Sequence, residues 1–269
     1  MGSDSNLTEM PNTAPAAQAA GLVNLGSDPK KSVDFISDLH LQASEPATFD
    51  AWKHYMQTTA ADAIFILGDL FEVWVGDDVL QERGFENQCA QVIRQAAARV
   101  PTFFMHGNRD FLVGNGLMSA CNTTLLSDPA VLIFQHQRWL LSHGDALCLD
   151  DLDYIAFRQQ VRNPDWQQAF LAKPIAERQT LARGLRQQSE ARKKSAAEYA
   201  DVDDDAARQL LLQANANTLI HGHTHKPATH DLGNGLQRVV LSDWDAAAQP
   251  ARAEVLRLTA GSLQRITLV

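Results

Sequence analysis

Val33-Asp34-Phe35-Ile36-Ser37-Asp38-Leu39-His40 passes directly from a β-rich run into an aspartate and a histidine two positions apart. The same grammar returns downstream. Ala63-Ile64-Phe65-Ile66-Leu67 ends in Gly68-Asp69, and Thr102-Phe103-Phe104-Met105 ends in His106-Gly107-Asn108-Arg109-Asp110. Trp139-Leu140-Leu141 runs into Ser142-His143-Gly144-Asp145, and Thr218-Leu219-Ile220 into His221-Gly222-His223-Thr224-His225. Helical segments near 46–60 and 85–99 separate the first three runs, and strand, helix, strand at that spacing predicts a layered α/β domain. In such folds the crevice beyond the carboxyl ends of the strands is where ligands bind. The polar clusters are expected to converge there.

Further apolar runs at 131–134, 238–241, 253–256 and 265–269 mostly lack intervening helices, which predicts a second, largely antiparallel sheet. Residues 1–31 are rich in Ala, Pro, Asn, Ser and Gly and show no sustained period, so they read as a disordered tail ahead of a domain at 32–269. The segment at about 150–200, rich in Ala, Gln and Arg and broken by Pro164 and Pro174, reads as a helical cap inserted into that domain.

Composition sets the outer limits. A chain of 269 residues that is 45% hydrophobic buries a core without staples. Its formal net charge of −9 argues against a nucleic-acid partner, whose phosphates need Lys and Arg. No run approaches the ~20 apolar residues of a membrane-spanning helix, and the N-terminus lacks the basic and apolar regions of a secretory signal. Cys89, Cys121 and Cys148 are far apart and odd in number, which fits a reducing, cytoplasmic setting better than a disulfide framework. The charge is unevenly spread: from Arg158 to Lys194 there are nine basic residues against three acidic ones. An anion is expected near that segment.

The clustered residue types are metal ligands. Asp38 and His40 are two apart, as are His221 and His223, so extended backbone points each pair to one side. Mixed N and O ligation without sulfur suits Mn²⁺, Fe²⁺ or Zn²⁺ better than Mg²⁺ or Ca²⁺. Asp38, His40, Asp69, Asn108, His143, His221 and His223 are too many for one tetrahedral zinc and about right for two ions that clamp a phosphoryl group. A lone Asp-x-His or Gly-Asp is common by chance, and His-x-His-x-His alone suits a surface tract. The ordered set is the specific signal.

That order, Asp38-x-His40, Gly68-Asp69, Gly107-Asn108-x-Asp110, His143-Gly144-Asp145 and Gly222-His223-x-His225, resembles the calcineurin-like metallophosphoesterases. The resemblance implies a four-layer α-β-β-α sandwich with a dinuclear site. It places Asp38, His40, Asp69 and His223 on a first metal and Asp69, Asn108, His143 and His221 on a second, with Asp69 bridging. Arg109 stands where many members carry histidine. A guanidinium cannot act as an acid, but it can fork two hydrogen bonds onto phosphate oxygens and offset charge in the transition state. The expected leaving group is therefore one that departs without a strong acid, as a phosphate leaves a diphosphate.

Longer stretches, 35–41, 66–78, 106–112 and 221–227, resemble one branch of the family from about residue 32 to 245. Its members hydrolyse an amphipathic nucleotide-lipid of lipid A biosynthesis. The resemblance implies a hydrolase using two Mn²⁺, with Fe²⁺ or Zn²⁺ as alternatives, in which water attacks the α-phosphorus and UMP and a diacylated glucosamine 1-phosphate are released. It implies peripheral association with the cytoplasmic face of the inner membrane. It assigns catalytic roles to Asp69 and Arg109, and substrate contacts to Asn108, Arg109, Asp151, Tyr154, Arg186, Ser189 and His221. Close relatives show Ser, then Asn four residues on and Lys three further, where this chain has Ser189, Lys193 and Ala196, so Lys193 is read as a replacement contact. His106 and His225 are read as supports of the ligand set, and apolar cap residues such as Trp166, Phe170 and Leu181 either as packing of the insertion on the main domain or as a groove for acyl chains. Two rivals are a phosphoesterase of soluble nucleotides and a metal-stabilised binding module. The apolar insertion argues against the first, and the presence of both arms of each ligand pair against the second.

Overall fold

The computed structural model describes residues 20–195, 201–260 and 262–269, the side chains of Ala20 and of 188–195 excepted. Strands β2 (Val33–Ile36) and β3 (Ala63–Leu67) are buried at every position, as continuous apolar runs are when both faces of a sheet are covered. They run parallel, with β4 (Thr102–Met105) beside β3. Helices α1 (Pro46–Thr58) and α2 (Phe85–Ala97) make the crossovers, and α3 (Asn115–Cys121) follows β4. The order continues through β5 (Thr124–Phe134), β6 (Gln137–Ser142) and β7 (Thr218–His221) to β9 (Leu236–Val240) and β8 (Thr229–Gly233). Beyond β2, the other edge is extended by β10 (Glu254–Leu258) and β11 (Leu263–Thr267).

The second sheet expected from sequence is thus the other half of one continuous sheet. β5 joins the halves: Phe103, Phe104 and Met105 of β4 pair with Thr124–Leu126, whereas β6 pairs with Ala130–Phe134. Pro129 between these stretches has no N–H to give to either ladder. The expected antiparallel character fails at β6, β7 and β9, which are parallel neighbours. A parallel pair needs a long crossover, and between β6 and β7 the cap and α7 (Asp204–Ala214) supply it.

The sheet curls so that both halves share one core, in which Phe35, Phe65 and Met105 cluster with Leu141, Ile220 and Val239. Alternate residues of β3 turn outward: Ile64 and Ile66 pack with Trp52, Met56, Ile93 and Leu117 of the helices. On the far side Leu140 and Leu219 pack with Ala207 and Leu211 of α7. These are the four α-β-β-α layers. Residues 20–24, expected within a disordered tail, instead form β1 (Ala20–Asn24), parallel to β5 with Val23 buried. Where β5 exchanges β4 for β6, β1 pairs with its other flank and satisfies backbone groups there.

The cap consists of α4 (Leu152–Val161), α5 (Pro164–Leu171) and α6 (Ile175–Ser195). Pro164 opens α5 at a position that tolerates proline, and the Asn163 side chain accepts from the amides of Asp165 and Trp166. Arg178 bolts α6 to the main domain. It is 1% exposed, and it donates to the carbonyls of Lys173 and Val75 and to Asp78. Gly76, at φ +129°, leaves the room, since a Cβ there would stand 2.4 Å from Arg178 Nη1.

Asp34 ties three elements at the opposite end of β2. Fully buried, it accepts from Tyr55 Oη (2.9 Å), Thr59 Oγ1 (3.0 Å) and a forked pair from Arg257 of β10 (2.7 and 2.8 Å). Asp34→Ala strands these donors, and a loss of roughly 3–5 kcal/mol is expected, read as a lower urea midpoint. An unchanged midpoint would show that the network contributes nothing net.

Candidate metal centre

Each parallel strand delivers its polar cluster at its carboxyl end. Asp38 follows β2, Asp69 follows β3, Asn108 follows β4 and His143 follows β6, while His223 and His225 follow β7. The backbone there is unusual: Asp38, His40, Asp69, His223 and His225 all hold positive φ, between 50° and 68°. Asp and His tolerate this region better than most side chains, yet each instance costs on the order of 1–3 kcal/mol that the surrounding fold must offset. Close backbone approach is part of that surrounding. At Gly107 a Cβ would stand 2.0 Å from Asp69 Oδ1 and 2.4 Å from Asp69 N, so the loops after β3 and β4 meet where no side chain fits.

Asp38 accepts from Ser37 Oγ (2.6 Å) and from the amide of His223 (2.9 Å) through Oδ2. Its Oδ1 lies 3.2 Å from His225 Nε2, which is itself 3.2 Å from His40 Nε2. Asp69 accepts the Arg109 amide at 2.9 Å through Oδ1, an oxygen that lies 3.7 Å from His143 Nε2, while its Oδ2 is 3.9 Å from His40 Nδ1. His143 Nδ1 donates to the Leu67 carbonyl (2.9 Å), which turns Nε2 toward Asn108 Oδ1 at 3.0 Å. His223 Nδ1 is 2.8 Å from the same amide oxygen. Two groups, Asp38-His40-His225 and Asp38-Asp69-His143, have ligand atoms within 4.8 Å of one another.

Divalent cations fit this donor set. His40 Nδ1 is buried without a hydrogen-bond partner. Burial depresses a histidine, yet at His143 the carboxylates of Asp69, Asp38 and Asp145 outweigh burial and push the imidazole up to about 9. Burial raises Asp69 above the usual carboxylate range against the pull of His143 and Arg109. Asp110 is pushed up to about 7 by burial and by Asp69. Asp38, against the raising effect of burial, is held well below the usual carboxylate range by His225, His143 and His40.

Of the seven expected ligands, Asp38, His40, Asp69 and His143 fall within these two groups, and Asn108 and His223 stand beside His143. His221 is fully buried at the last position of β7, in register with Ser142 of β6. Its Nδ1 donates to the Gly222 carbonyl (2.9 Å), its Nε2 is buried without a partner, and burial beside Arg238 pushes it down to about 4. His225, expected as a support, stands against Asp38 and His40, and His223 stands against Asn108 and His143.

Other expected residues take different places. His106 Nε2 contacts the Val113 carbonyl at 2.6 Å rather than Asn108. Asp151 caps α4 by accepting the Tyr154 amide (3.0 Å), and Tyr154 donates its hydroxyl to Asp145 with its ring 5.8 Å from that of His223. Arg109 and Arg186 both pair with Glu72. Ser189 and Lys193 fall among the side chains outside the described residues. Asp110, given no role from sequence, joins the loops by accepting from Gly107 N (2.7 Å) and Leu70 N (2.8 Å).

Residues 31–227 match the family model of the calcineurin-like phosphoesterases, and the chain belongs to that family. Its class is that of metal-dependent phosphate hydrolases. The UDP-2,3-diacylglucosamine hydrolase of Chromobacterium violaceum is 43% identical over 246 residues, covering 88% of this chain and 99% of that one. The UDP-2,3-diacylglucosamine hydrolase of Cellvibrio japonicus is 45% identical over 217 residues, covering 78% and 90%. A solved dimetal phosphatase from Danio rerio superposes with a TM-score of 0.47 at 12% identity, over 90% of this chain and 100% of that one.

Gly107→Ala drives a methyl into Asp69, so the variant is expected to retain less metal after loading and desalting. Wild-type metal content, measured by elemental analysis, would show that Asp69 does not need this contact.

Proposed function

We propose that this protein cleaves the diphosphate of UDP-2,3-diacylglucosamine by water attack on the α-phosphorus, giving UMP and 2,3-diacylglucosamine 1-phosphate. The observation that carries this reading is one helix with two faces of use. Leu181 and Leu185 of α6 line a cavity of about 450 Å³ with Trp166 and Phe170 of α5, while Arg186, the next residue, reaches Glu72 beside Arg109. One helix thus carries both an apolar cavity wall and, one residue on, a cation that pairs with Glu72, which suits a ligand that is lipid at one end and diphosphate at the other. A soluble nucleotide has no use for the cavity.

Asp38, His40, Asp69 and His223 would hold one ion and Asp69, Asn108, His143 and His221, whose Nε2 is buried without a hydrogen-bond partner, the other, with His225 standing against Asp38 and His40. The N and O donors suit two Mn²⁺, and also Fe²⁺ or Zn²⁺. Such a pair, when bound, supplies Lewis acidity toward phosphoryl oxygens and acidifies the attacking water. The Arg109 guanidinium faces Asp69 Oδ2 at 3.4 Å from Nε, close enough to offset charge on a phosphate held there. It donates no proton, and a departing sugar phosphate needs none. Among the described residues no helix is long and apolar enough to cross a membrane. An amphipathic substrate therefore implies a peripheral encounter, at the cytoplasmic face of the inner membrane.

Offered UDP-2,3-diacylglucosamine and a non-acylated UDP-sugar side by side, the Mn²⁺-loaded enzyme is expected to prefer the lipid by at least about 100-fold in kcat/KM, because acyl burial contributes about 0.8 kcal/mol per methylene. A chelator should abolish turnover. Equal rates on the two substrates would remove the lipid assignment and leave a metallohydrolase.

The ligand assignment has its own test. His221→Ala should lose metal and at least about 100-fold in rate, whereas His225→Ala should keep its metal. The reverse pattern would put His225 in the ligand set in place of His221.

A further inference from the structure

Glu72 belongs to none of the candidate ligand groups, yet it stands where the main domain and the cap meet. One carboxylate oxygen, Oε1, accepts from Arg186 Nε of α6 at 2.8 Å, and the other, Oε2, accepts from Arg109 Nη1. The three side chains are sheltered, with Glu72 21%, Arg186 18% and Arg109 9% exposed. The backbone of Glu72 is itself fixed. Its amide donates to the Leu41 carbonyl (3.1 Å) in the loop after β2, and two residues on the Trp74 amide donates to the Arg109 carbonyl (3.1 Å). Arg109 is held from a third side, with its amide on Asp69 Oδ1.

Two guanidiniums repel each other in a partly dehydrated site unless an anion lies between them. Glu72 is that anion. Giving one oxygen to each, it keeps a cation from the main domain and a cation from the cap side by side. Guanidiniums bind phosphate oxygens through paired, charge-assisted bonds.

We propose that Glu72 is a positioning residue that aligns Arg109 and Arg186 as a preformed clamp for the diphosphate and thereby registers the cap over the metal centre. The proposal rests on the diphosphate reading given above. Preorganised charge is most effective when it need not move as the transition state forms. Glu72 also cancels part of the clamp's own attraction for anions. Removing its charge should therefore weaken alignment without weakening ground-state attraction.

Glu72→Gln is the test, because the amide keeps one acceptor oxygen but turns a donor toward the second guanidinium. In the Mn²⁺-loaded full-length protein acting on UDP-2,3-diacylglucosamine, kcat is expected to fall on the order of 10- to 100-fold, the cost of a small misplacement, while KM does not rise. Metal content should stay at the wild-type level. In an Arg186→Ala background the same substitution should cost clearly less, since the two act through one contact. Hydrogen exchange gives a readout that needs no substrate: Glu72→Gln should speed exchange across 175–187 and leave 204–214 unchanged. Wild-type kinetics, loss of metal, or full additivity with Arg186→Ala would overturn the role. If the wild-type enzyme leaves the lipid nucleotide intact, the diphosphate reading has failed, and unchanged exchange in 175–187 would then dispose of the Glu72 tie as well.

Discussion

Burying Asp38, Asp69, Asp110 and Asp145 around one point is the constraint that the rest of the molecule answers to. All four are at most 2% exposed, and isolated carboxylates in such a setting are costly unless each finds donors or cations. The fold aims both at them. Asp38 takes Ser37 and the His223 amide, Asp69 the Arg109 amide, Asp110 the amides of Gly107 and Leu70, and Asp145 the Tyr154 hydroxyl and Arg158 at 2.8 Å. Those donors exist because parallel strands end together, and the left-handed residues after them turn amides inward. Strained backbone, glycine contact and carboxylate burial are thus one arrangement seen from three sides.

The same constraint explains how the chain distributes its charge. A formal −9 suggests an acidic surface, but part of that negative charge lies at the strand ends, where it calls for divalent ions. The cations of the cap sit across from it. Arg158 reaches Asp145, Arg162 donates to the Gly107 carbonyl at 2.9 Å, and Arg186 reaches Glu72. Three arginines of the insertion therefore touch the loops that carry the candidate ligands, and each arrives from a helix started by a cap or proline that the sequence displays.

How much of this was legible in the sequence depends on whether the signal was local. Strands ending in polar clusters were, because a run such as Ala63–Leu67 and the Gly-Asp that follows it are read within a few residues. The candidate ligands follow from that, although His-x-His-x-His alone does not say which of its imidazoles meet the carboxylates. The joining of two sheet halves through β5 was hidden for another reason: Thr124–Leu126 and Ala130–Phe134 exchange partners within one strand, and pairing is set by residues far away. β1 was missed because five residues in an Ala- and Pro-rich stretch carry almost no periodic signal until β5 offers them an edge. Asp110 stands in a local motif, Gly107-Asn108-x-Asp110, but part of its work is not local, since the Leu70 amide from which it accepts lies forty residues away.

Arg109 is where the cation-holding and anion-holding halves of the site become one. Its amide fixes Asp69, a candidate bridge between ions, and its guanidinium lies between Asp69 and Glu72. A histidine in that place would bring a charge that varies with pH into a pocket where burial and neighbouring carboxylates already move titrating groups far from their ordinary values, as they do at His143. A guanidinium avoids this, because it stays protonated throughout the range in which proteins are folded. The site thereby gives up a proton donor and gains a fixed positive charge. That exchange favours chemistry in which the departing group is already a stable anion, and it removes proton supply at residue 109 from the demands on catalysis. What remains is geometric: to keep the guanidinium where charge develops, which a neighbour with two acceptor oxygens and a pinned backbone is well placed to do.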